Sequence, residues 1–225
     1  ARWLRGRVVA VTGSKGKSTT TVLTGRMLEA DGRRALVGGN LGTALSSQVE
    51  MSSPDLIHVV EASSFQLELT ETFRPWISVL LNLSPDHLDR HSNYQEYVDA
   101  KARIFANQTS SDAIVINADD PHVLEVARRS RAKRLMFAVN HSLDEGVVVA
   151  GDVVAHRTGS GDRALLPVSA VQVPGRHYLS DVLAAVAVGT FVGISARGMC
   201  SAVESFTGLA HSLEPVGKVA GVQFI

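Results

Sequence analysis

Short apolar segments rich in β-branched residues recur along the first part of the chain, and each leads into a polar or glycine-rich loop. The segments lie at residues 8–11, 34–38, 56–60, 76–83, 113–117 and 134–139. Between them, apolar residues follow helical spacing, as at 22–28 and 94–106. Strand, loop and helix repeated in this order predict an α/β fold, with a mostly parallel sheet flanked by helices and joined by right-handed crossovers.

The pattern changes after residue 146. Residues 146–156 predict a β-hairpin that turns at a Gly-Asp pair, and residues 165–171 predict another strand. These strands are expected to form a small antiparallel β subsheet at the side of the main sheet.

The rest of the chain is predicted to close the domain with two helices and one strand. Residues 179–192 are rich in Ala and Val, which predicts a buried helix, and a second helix is expected at 196–205. The last strand is predicted at 216–225. We therefore divide the chain into a main sheet over about residues 1–140, an antiparallel part over about 146–173 and closing elements over about 175–225.

The loop after the first strand has the composition of a phosphate-binding loop. It consists of Gly13, Ser14, Lys15, Gly16, Lys17, Ser18 and Thr19. Backbone N–H groups of such a loop and the following helix N-terminus can hold phosphate oxygens, the lysine can reach the outer phosphates, and the serine can supply a hydroxyl to Mg²⁺. The spacing Gly-x-x-Gly-Lys-Ser is two residues shorter than the common phosphate-loop pattern, and a plain turn before an ordinary helix is the alternative.

Polar side chains follow three later strands. Asn40 lies in a loop with three glycines, Glu61 directly follows a buried strand, and residues 84–91 place two carboxylates, two histidines and an arginine after another strand. Carboxyl ends of parallel strands are where such sheets bind ligands, so Glu61 and either Asp86 or His87 are candidate ligands of Mg²⁺. A plain turn, a carboxylate at a helix N-terminus and a solvated capping loop are the respective alternatives.

Lys101 falls among the apolar positions of the helix predicted at 94–106. Its side chain either snorkels to solvent or turns into the site, and the local pattern favours snorkelling. A cluster of basic residues at 128–134 is interpreted as a solvated helix end that leads into a strand.

Composition narrows the class of protein. The chain has 225 residues, is 45% apolar and has a formal net charge of zero, which argues against a general nucleic-acid binder. Its single cysteine excludes a disulfide framework within the chain and a cysteine metal site, and fits a reducing, cytoplasmic location. No apolar run reaches the length of a membrane span, and no signal peptide is recognised. Both ends fall within or near predicted strands, so we expect a domain of a longer protein.

Taken together, six blocks resemble the central, ATP-binding domain of the Mur ligases. They are residues 12–19 (TGSKGKST), 38–42 (GGNLG), 61–68 (EASSFQLE), 82–91 (NLSPDHLDRH), 100–101 (AK) and 208–211 (GLAH). The blocks stand in the family's order and span nearly the whole chain. The second and third point to members that add D-glutamate, and the short phosphate loop is shared with folylpolyglutamate synthases.

The resemblance implies a role for each matched residue. Lys17, Ser18 and Thr19 would bind the β- and γ-phosphates of ATP and the first Mg²⁺, which Glu61 would also ligate. His87 would ligate a second Mg²⁺.

Lys101 would be carbamylated by CO₂ and support that second ion, and the resemblance thus reverses the local interpretation of this lysine. Asn40 and Ser63 would touch the substrate, UDP-N-acetylmuramoyl-L-alanine. An N-terminal domain that binds UDP and a C-terminal domain that holds D-glutamate are absent from this chain.

The implied reaction has two steps. The γ-phosphoryl group of ATP passes to the substrate carboxylate to give an acyl phosphate, and the amine of D-glutamate then displaces phosphate to form the amide. Positioning and charge neutralisation would supply most of the catalysis. We expect the isolated chain to lack turnover, because the two substrate-binding domains are missing.

Three positions depart from the family pattern on the nucleotide side. Tyr178 and Asp181 stand where the family usually has asparagines that help to seat the base and ribose, and Ser212 follows His211 where the family usually has arginine. These departures keep open an excised or redesigned domain that acts as a non-catalytic binding or structural module. A folylpolyglutamate-type ligase is a further alternative, and the loop at 38–42 counts against it.

Overall fold

The fold is that of a computed structural model, which describes residues 2–87, 89–173, 175–209, 217–219 and 221–224. The strands are β1 Arg7–Thr12, β2 Ala35–Gly39, β3 Ile57–Glu61, β4 Ile77–Leu80, β5 Ala113–Asn117, β6 Lys133–Ala138, β7 Gly146–Ala150, β8 Val153–Thr158, β9 Gly161–Pro167, β10 Gly217–Val219 and β11 Val222–Phe224. The helices are α1 Lys17–Ala30, α2 Ser64–Glu68, α3 Tyr94–Ala102, α4 Pro121–Ala127, α5 Arg176–Val192 and α6 Ala196–Glu204.

The first nine strands form one sheet in the order β2-β3-β1-β4-β5-β6-β7-β8-β9. Pairing is parallel from β2 to β7 and antiparallel from β7 to β9. The predicted α/β class, parallel sheet and antiparallel part are therefore confirmed. The antiparallel strands continue the main sheet directly, because β7 pairs with β6 in parallel before the hairpin turns back.

Alternation along β1 builds a core on each face of the sheet. Val9 and Val11 face a cluster that includes residues of α1, α5 and α6, whereas Val8 and Ala10 face a second cluster with residues of α3 and α4. Since both faces are covered, the central strands are apolar throughout, as is typical of parallel sheets.

Helix α5 is buried on almost every side. Residues 181–189 are all buried, and the helix packs against α1, β5, β6 and β7. Helix α6 packs against α1 and β9, so the antiparallel strands and α6 enclose α5 on the side away from the phosphate loop. The predicted buried helix is confirmed, and its composition of small and β-branched residues suits such close packing.

The prediction of one last strand over 216–225 was wrong. The described residues form two short antiparallel strands, β10 and β11, which pair with each other and not with the nine-stranded sheet. Gly221 has φ +86 and lies between them, so the chain reverses at a position that favours glycine.

A buried hydrogen-bond chain ties the segment after β2 to β3. His58 is fully buried, with Nε2 2.8 Å from Ser52 Oγ and Nδ1 2.7 Å from Gln48 Oε1. Ser52 Oγ also accepts the backbone N–H groups of residues 5 and 6, so its own hydrogen is left for His58 Nε2. His58 is therefore neutral with its hydrogen on Nδ1, and burial lowers its pKa.

Candidate functional site

The phosphate loop lies at the carboxyl end of β1 and leads directly into α1. Gly16 caps the helix with φ +81, and a Cβ added to it would stand 2.0 Å from Asp181 Oδ1. Both the backbone angle and the lack of space therefore require glycine here. The first N–H groups of α1, those of Lys17, Ser18 and Thr19, have no partner within the helix and point out of its N-terminus.

Asn82 holds the first half of the loop. Its side chain accepts the Lys15 N–H at 2.8 Å and donates to the Lys15 carbonyl at 3.0 Å, and its backbone carbonyl accepts the Ser14 N–H at 3.0 Å. Two of the loop amides predicted to bind phosphate are thus engaged inside the protein. This role of Asn82 was not predicted, because it depends on two segments far apart in sequence.

Glu61 lies at the end of β3, next to the start of α1. Its Oε2 accepts the Ser18 hydroxyl at 2.6 Å, and its Oε1 accepts the Asn40 amide at 2.8 Å. The structure therefore brings together three sequence-predicted residues from the ends of β2, β3 and the phosphate loop. Asn40 orients the carboxylate, which is a different contact from the substrate contact implied for it.

A cavity of about 540 Å³ lies in front of this group. Its lining includes Gly16, Lys17, Ser18, Thr19, Asn40, Leu41, Glu61 and Leu209. A second cavity, of about 450 Å³, also adjoins Gly16. Its lining includes Lys15, Gly16, Asn82, His177, Ser180 and Asp181.

Lys101 is turned into the site and not towards solvent. Only 2% of its surface is exposed, its Nζ donates to the Gly13 carbonyl at 2.9 Å, and it lies 4.6 Å from the centre of the Tyr97 ring. Snorkelling, the interpretation that the local pattern favoured, is wrong. Burial lowers the Lys101 pKa to about 7, with a further decrease from Lys17 and opposing effects from Asp86 and Glu61.

Tyr97 contacts the phosphate loop through Ser14. Its hydroxyl lies 2.7 Å from Ser14 Oγ, which in turn donates to the Ser84 carbonyl at 3.0 Å. Burial raises the Tyr97 pKa to about 12, so the phenol stays protonated at neutral pH. The Ser14 side chain is therefore a support of the loop, on the side away from the two cavities.

His87 and Ser63 lie at the next loops along this edge. His87 has φ +54, its Nε2 lies 3.6 Å from Asp86 Oδ2, and its ring centre lies 5.0 Å from that of Phe65. Ser63 caps α2 in a capping box with Gln66, so its hydroxyl is engaged in helix capping.

The residues at the loop fit Mg²⁺ as it usually binds beside nucleotides. Within the described ranges, no three histidine, cysteine or acidic side chains come together in an arrangement that could hold a metal ion. Mg²⁺ commonly takes one or two protein oxygens and completes its shell with phosphate oxygens and water. The Ser18 hydroxyl and the Glu61 carboxylate, 2.6 Å apart, are such oxygens.

The two departures at the start of α5 differ in their surroundings. Tyr178 is buried in the apolar core and does not line the cavity beside Gly16. Asp181 does line it, and its carboxyl adjoins the phosphate loop. The third departure, Ser212 with its neighbour His211, lies outside the described residues.

None of the helices that the structure describes is long and apolar enough to cross a membrane. The basic cluster at 128–134 lies where the end of α4 leads into β6, with Arg128 in an exposed ion pair to Glu125, as a solvated helix end would.

Comparisons with known proteins agree with this arrangement. The family model described as Mur ligase middle domain matches residues 11–189. Over the whole chain, the sequence is 41% identical to a UDP-N-acetylmuramoylalanine--D-glutamate ligase of Koribacter versatilis and 42% identical to one of Acidobacterium capsulatum, and it covers 49% of each. The chain thus spans about half the length of these curated relatives.

Solved structures share the fold at low sequence identity. MurF from Acinetobacter baumannii is 19% identical with a TM-score of 0.73, over 97% of this chain and 50% of that one. A UDP-N-acetylmuramoyl-L-alanyl-D-glutamate--2,6-diaminopimelate ligase is 24% identical with a TM-score of 0.73, over 95% of this chain and 49% of that one. Because the family model matches most of the sequence, the chain belongs to the Mur ligase family and corresponds to its middle domain.

Proposed function

We propose that this domain binds ATP with Mg²⁺ for a ligase that adds D-glutamate to UDP-N-acetylmuramoyl-L-alanine in the synthesis of peptidoglycan precursors. The observation that carries the proposal is the Ser18–Glu61 pair at the open N-terminus of α1, beside Lys17 and a cavity of about 540 Å³. The names of the relatives in Koribacter and Acidobacterium support the identity of the substrates.

In this proposal the helix N-terminus and Lys17 bind the β- and γ-phosphates. The Lys17 ammonium now donates to the Ser14 carbonyl at 3.0 Å, so its side chain folds back over the loop and would exchange this partner for phosphate oxygens. Ser18 and Glu61 would hold the first Mg²⁺, which neutralises phosphate charge when bound, and Asn40 would keep the carboxylate oriented.

Lys101 would react with CO₂ through its neutral amine. The nitrogen forms a bond to carbon, a proton leaves to solvent, and the product is a carbamate with one negative charge. The deep burial of Lys101 and the lack of an ion-pair partner for it among the described residues favour the neutral amine. Together with His87, the carbamate would support a second Mg²⁺.

The chemistry we propose is transfer of the γ-phosphoryl group to the substrate carboxylate, followed by attack of the D-glutamate amine on the acyl phosphate and release of phosphate. Asn40 and Ser63 would contact the muramoyl-alanine part of the substrate. Regions that bind UDP and D-glutamate would lie outside this chain, since its relatives are about twice as long. Peptidoglycan precursors are built in the cytoplasm, which is where we place the protein.

Calorimetric titration of the chain with Mg-ATP tests the nucleotide site. We expect a Kd in the micromolar range, and we expect Lys17→Ala to weaken binding by roughly 30- to 160-fold, because hydrogen bonds to a charged group contribute about 2–3 kcal/mol. Lys133→Ala removes the same charge from an exposed position at the start of β6 and serves as the matched control. No binding by the unaltered chain, or equal loss in both variants, would contradict the proposal and favour the non-catalytic module.

A phosphate-release assay with both substrates tests the need for further regions. We expect no sustained turnover from this chain alone. Continuous release of phosphate that depends on D-glutamate would contradict this part of the proposal, and a dependence on folate in place of the muramoyl substrate would favour a folylpolyglutamate-type ligase.

A further inference from the structure

The carboxyl group of Asp181, in α5, packs against the phosphate loop. Only 6% of the residue is exposed, and its Oδ1 would stand 2.0 Å from a Cβ added to Gly16. The carboxyl group is therefore packed against the Cα of the residue that starts α1. It also borders the cavity of about 450 Å³ beside Gly16, whose lining does not include Glu61.

No cation compensates this carboxyl within the part of the chain that the structure describes. The phosphate loop brings Lys15 and Lys17 to this region, and α5 itself brings Arg176 and His177, yet none forms an ion pair or hydrogen bond with the Asp181 carboxyl. The segments at 171–173 and 206–209, which also pack near this end of α5, carry no charged side chain.

Burial alone raises the Asp181 pKa to about 8. The carboxyl group is therefore mostly protonated at neutral pH, and a neutral acid has an O–H donor and a carbonyl acceptor to offer to a ligand in the cavity. Once ionised, the same group has only acceptors and a negative charge.

We propose that Asp181 is a positioning residue whose protonation state controls nucleotide binding. The neutral acid allows the nucleotide to bind beside Gly16, and the carboxylate repels the phosphates of the nucleotide. The proposal rests on the proposed ATP site. Phosphates bound at the N-terminus of α1 would lie close to Gly16 and therefore close to the carboxyl packed against it, so like charges would repel strongly. On ionisation the proton passes to solvent through the cavity, and no bond between heavy atoms changes.

The test compares the pH dependence of Mg-ATP binding in the unaltered chain and in Asp181→Asn. The asparagine amide copies the neutral acid in shape and in having both a donor and an acceptor, and it cannot ionise. Because only the protonated fraction is competent, the Kd of the unaltered chain relative to that of the variant should rise about tenfold between pH 7 and pH 9. Taking the ratio removes the titration of ATP itself, which is common to both proteins.

Lys15 and His177 also line this cavity, and His177→Gln, which replaces the imidazole with an amide, is the matched control. We expect His177→Gln to keep the tenfold rise that Asp181→Asn abolishes. Adenosine, which carries no phosphate, should bind with the same small pH dependence in all three proteins.

The outcomes separate this inference from the proposed function. Tight binding of Mg-ATP with equal pH dependence in the unaltered chain and Asp181→Asn would leave the ATP site standing and overturn the role of Asp181. A rise that disappears in His177→Gln would also overturn it, and absence of Mg-ATP binding from pH 6 to pH 9 in all three proteins would overturn both.

Discussion

Replacing Asp181 with asparagine should stabilise the folded protein, by an amount that depends on pH. The folded state raises the pKa of this carboxyl from 3.8 to about 8, because burial penalises the charged form. Between these values the folded protein holds a proton that the unfolded chain has released. The free energy of unfolding therefore falls as pH rises through this window, by up to about 1.4 kcal/mol per pH unit.

The magnitude follows from the width of the window. At pH 7, which is roughly 3 units above the pKa of an exposed aspartate, burying this carboxyl lowers the free energy of unfolding by at most about 4 kcal/mol. Water that enters the cavity beside Gly16 hydrates the group and reduces the cost. Below pH 4 both states are protonated and the cost vanishes, whereas above pH 8 it no longer grows.

Urea unfolding of the unaltered chain and of Asp181→Asn at several pH values measures this cost. The difference in the free energy of unfolding should increase by about 2–3 kcal/mol between pH 5 and pH 7, with the variant the more stable. The difference should then level off above pH 8. Asp152→Asn, which removes an exposed carboxyl in the turn between β7 and β8, is the control and should show no such trend.

A constant difference between pH 5 and pH 8 would refute this reasoning. It would mean that Asp181 is ionised in the folded protein throughout that range, and that hydration or an unrecognised cation offsets its burial. A variant that is less stable at every pH would show instead that the carboxyl makes a contact which the amide cannot replace.

Two further predictions concern backbone space and proton placement. Gly16→Ala should lower the free energy of unfolding by more than about 2 kcal/mol, because it combines φ +81 with a clash at Asp181. Gly32→Ala, the control, has φ +76 in open space and should lower it by about 1 kcal/mol. Equal urea midpoints for the two variants would contradict this prediction. The ¹⁵N spectrum of His58 should show a neutral ring with its hydrogen on Nδ1 at pH 7, and a ring protonated on Nε2 would contradict the hydrogen-bond order through Ser52 and Gln48.

Much of the fold could be predicted from the sequence because its signals are local. Buried parallel strands have apolar runs, and the run at 56–60 predicts the strand that the structure has at Ile57–Glu61. The phosphate loop carries its own glycines and the polar residues of the following helix start. The two-strand ending at 217–224 was missed because an apolar run does not show whether Gly221 interrupts one strand or turns between two.

Contacts between distant segments could not be predicted in the same way. Helical spacing places Lys101 among apolar neighbours but does not say which surface covers it, and only the fold brings it to the carbonyl of Gly13. Asn82, two residues after β4, and Asp181, in α5, likewise contact the loop from segments that lie far away in sequence. The sequence offers one signal of a functional role for each residue. Asn82 is a polar residue that follows a buried strand, and Asp181 is a carboxyl near the start of an apolar helix.

The enclosure of α5 has a consequence for the order in which a ribosome can complete this domain. The phosphate loop is translated more than 150 residues before the helix that carries Asp181, which packs against Gly16. That helix in turn needs β5, β6 and β7 around it before it can be buried. A nascent chain therefore carries an unfinished nucleotide pocket while those residues are translated, and the strands already made must stay soluble until the helix arrives to cover them.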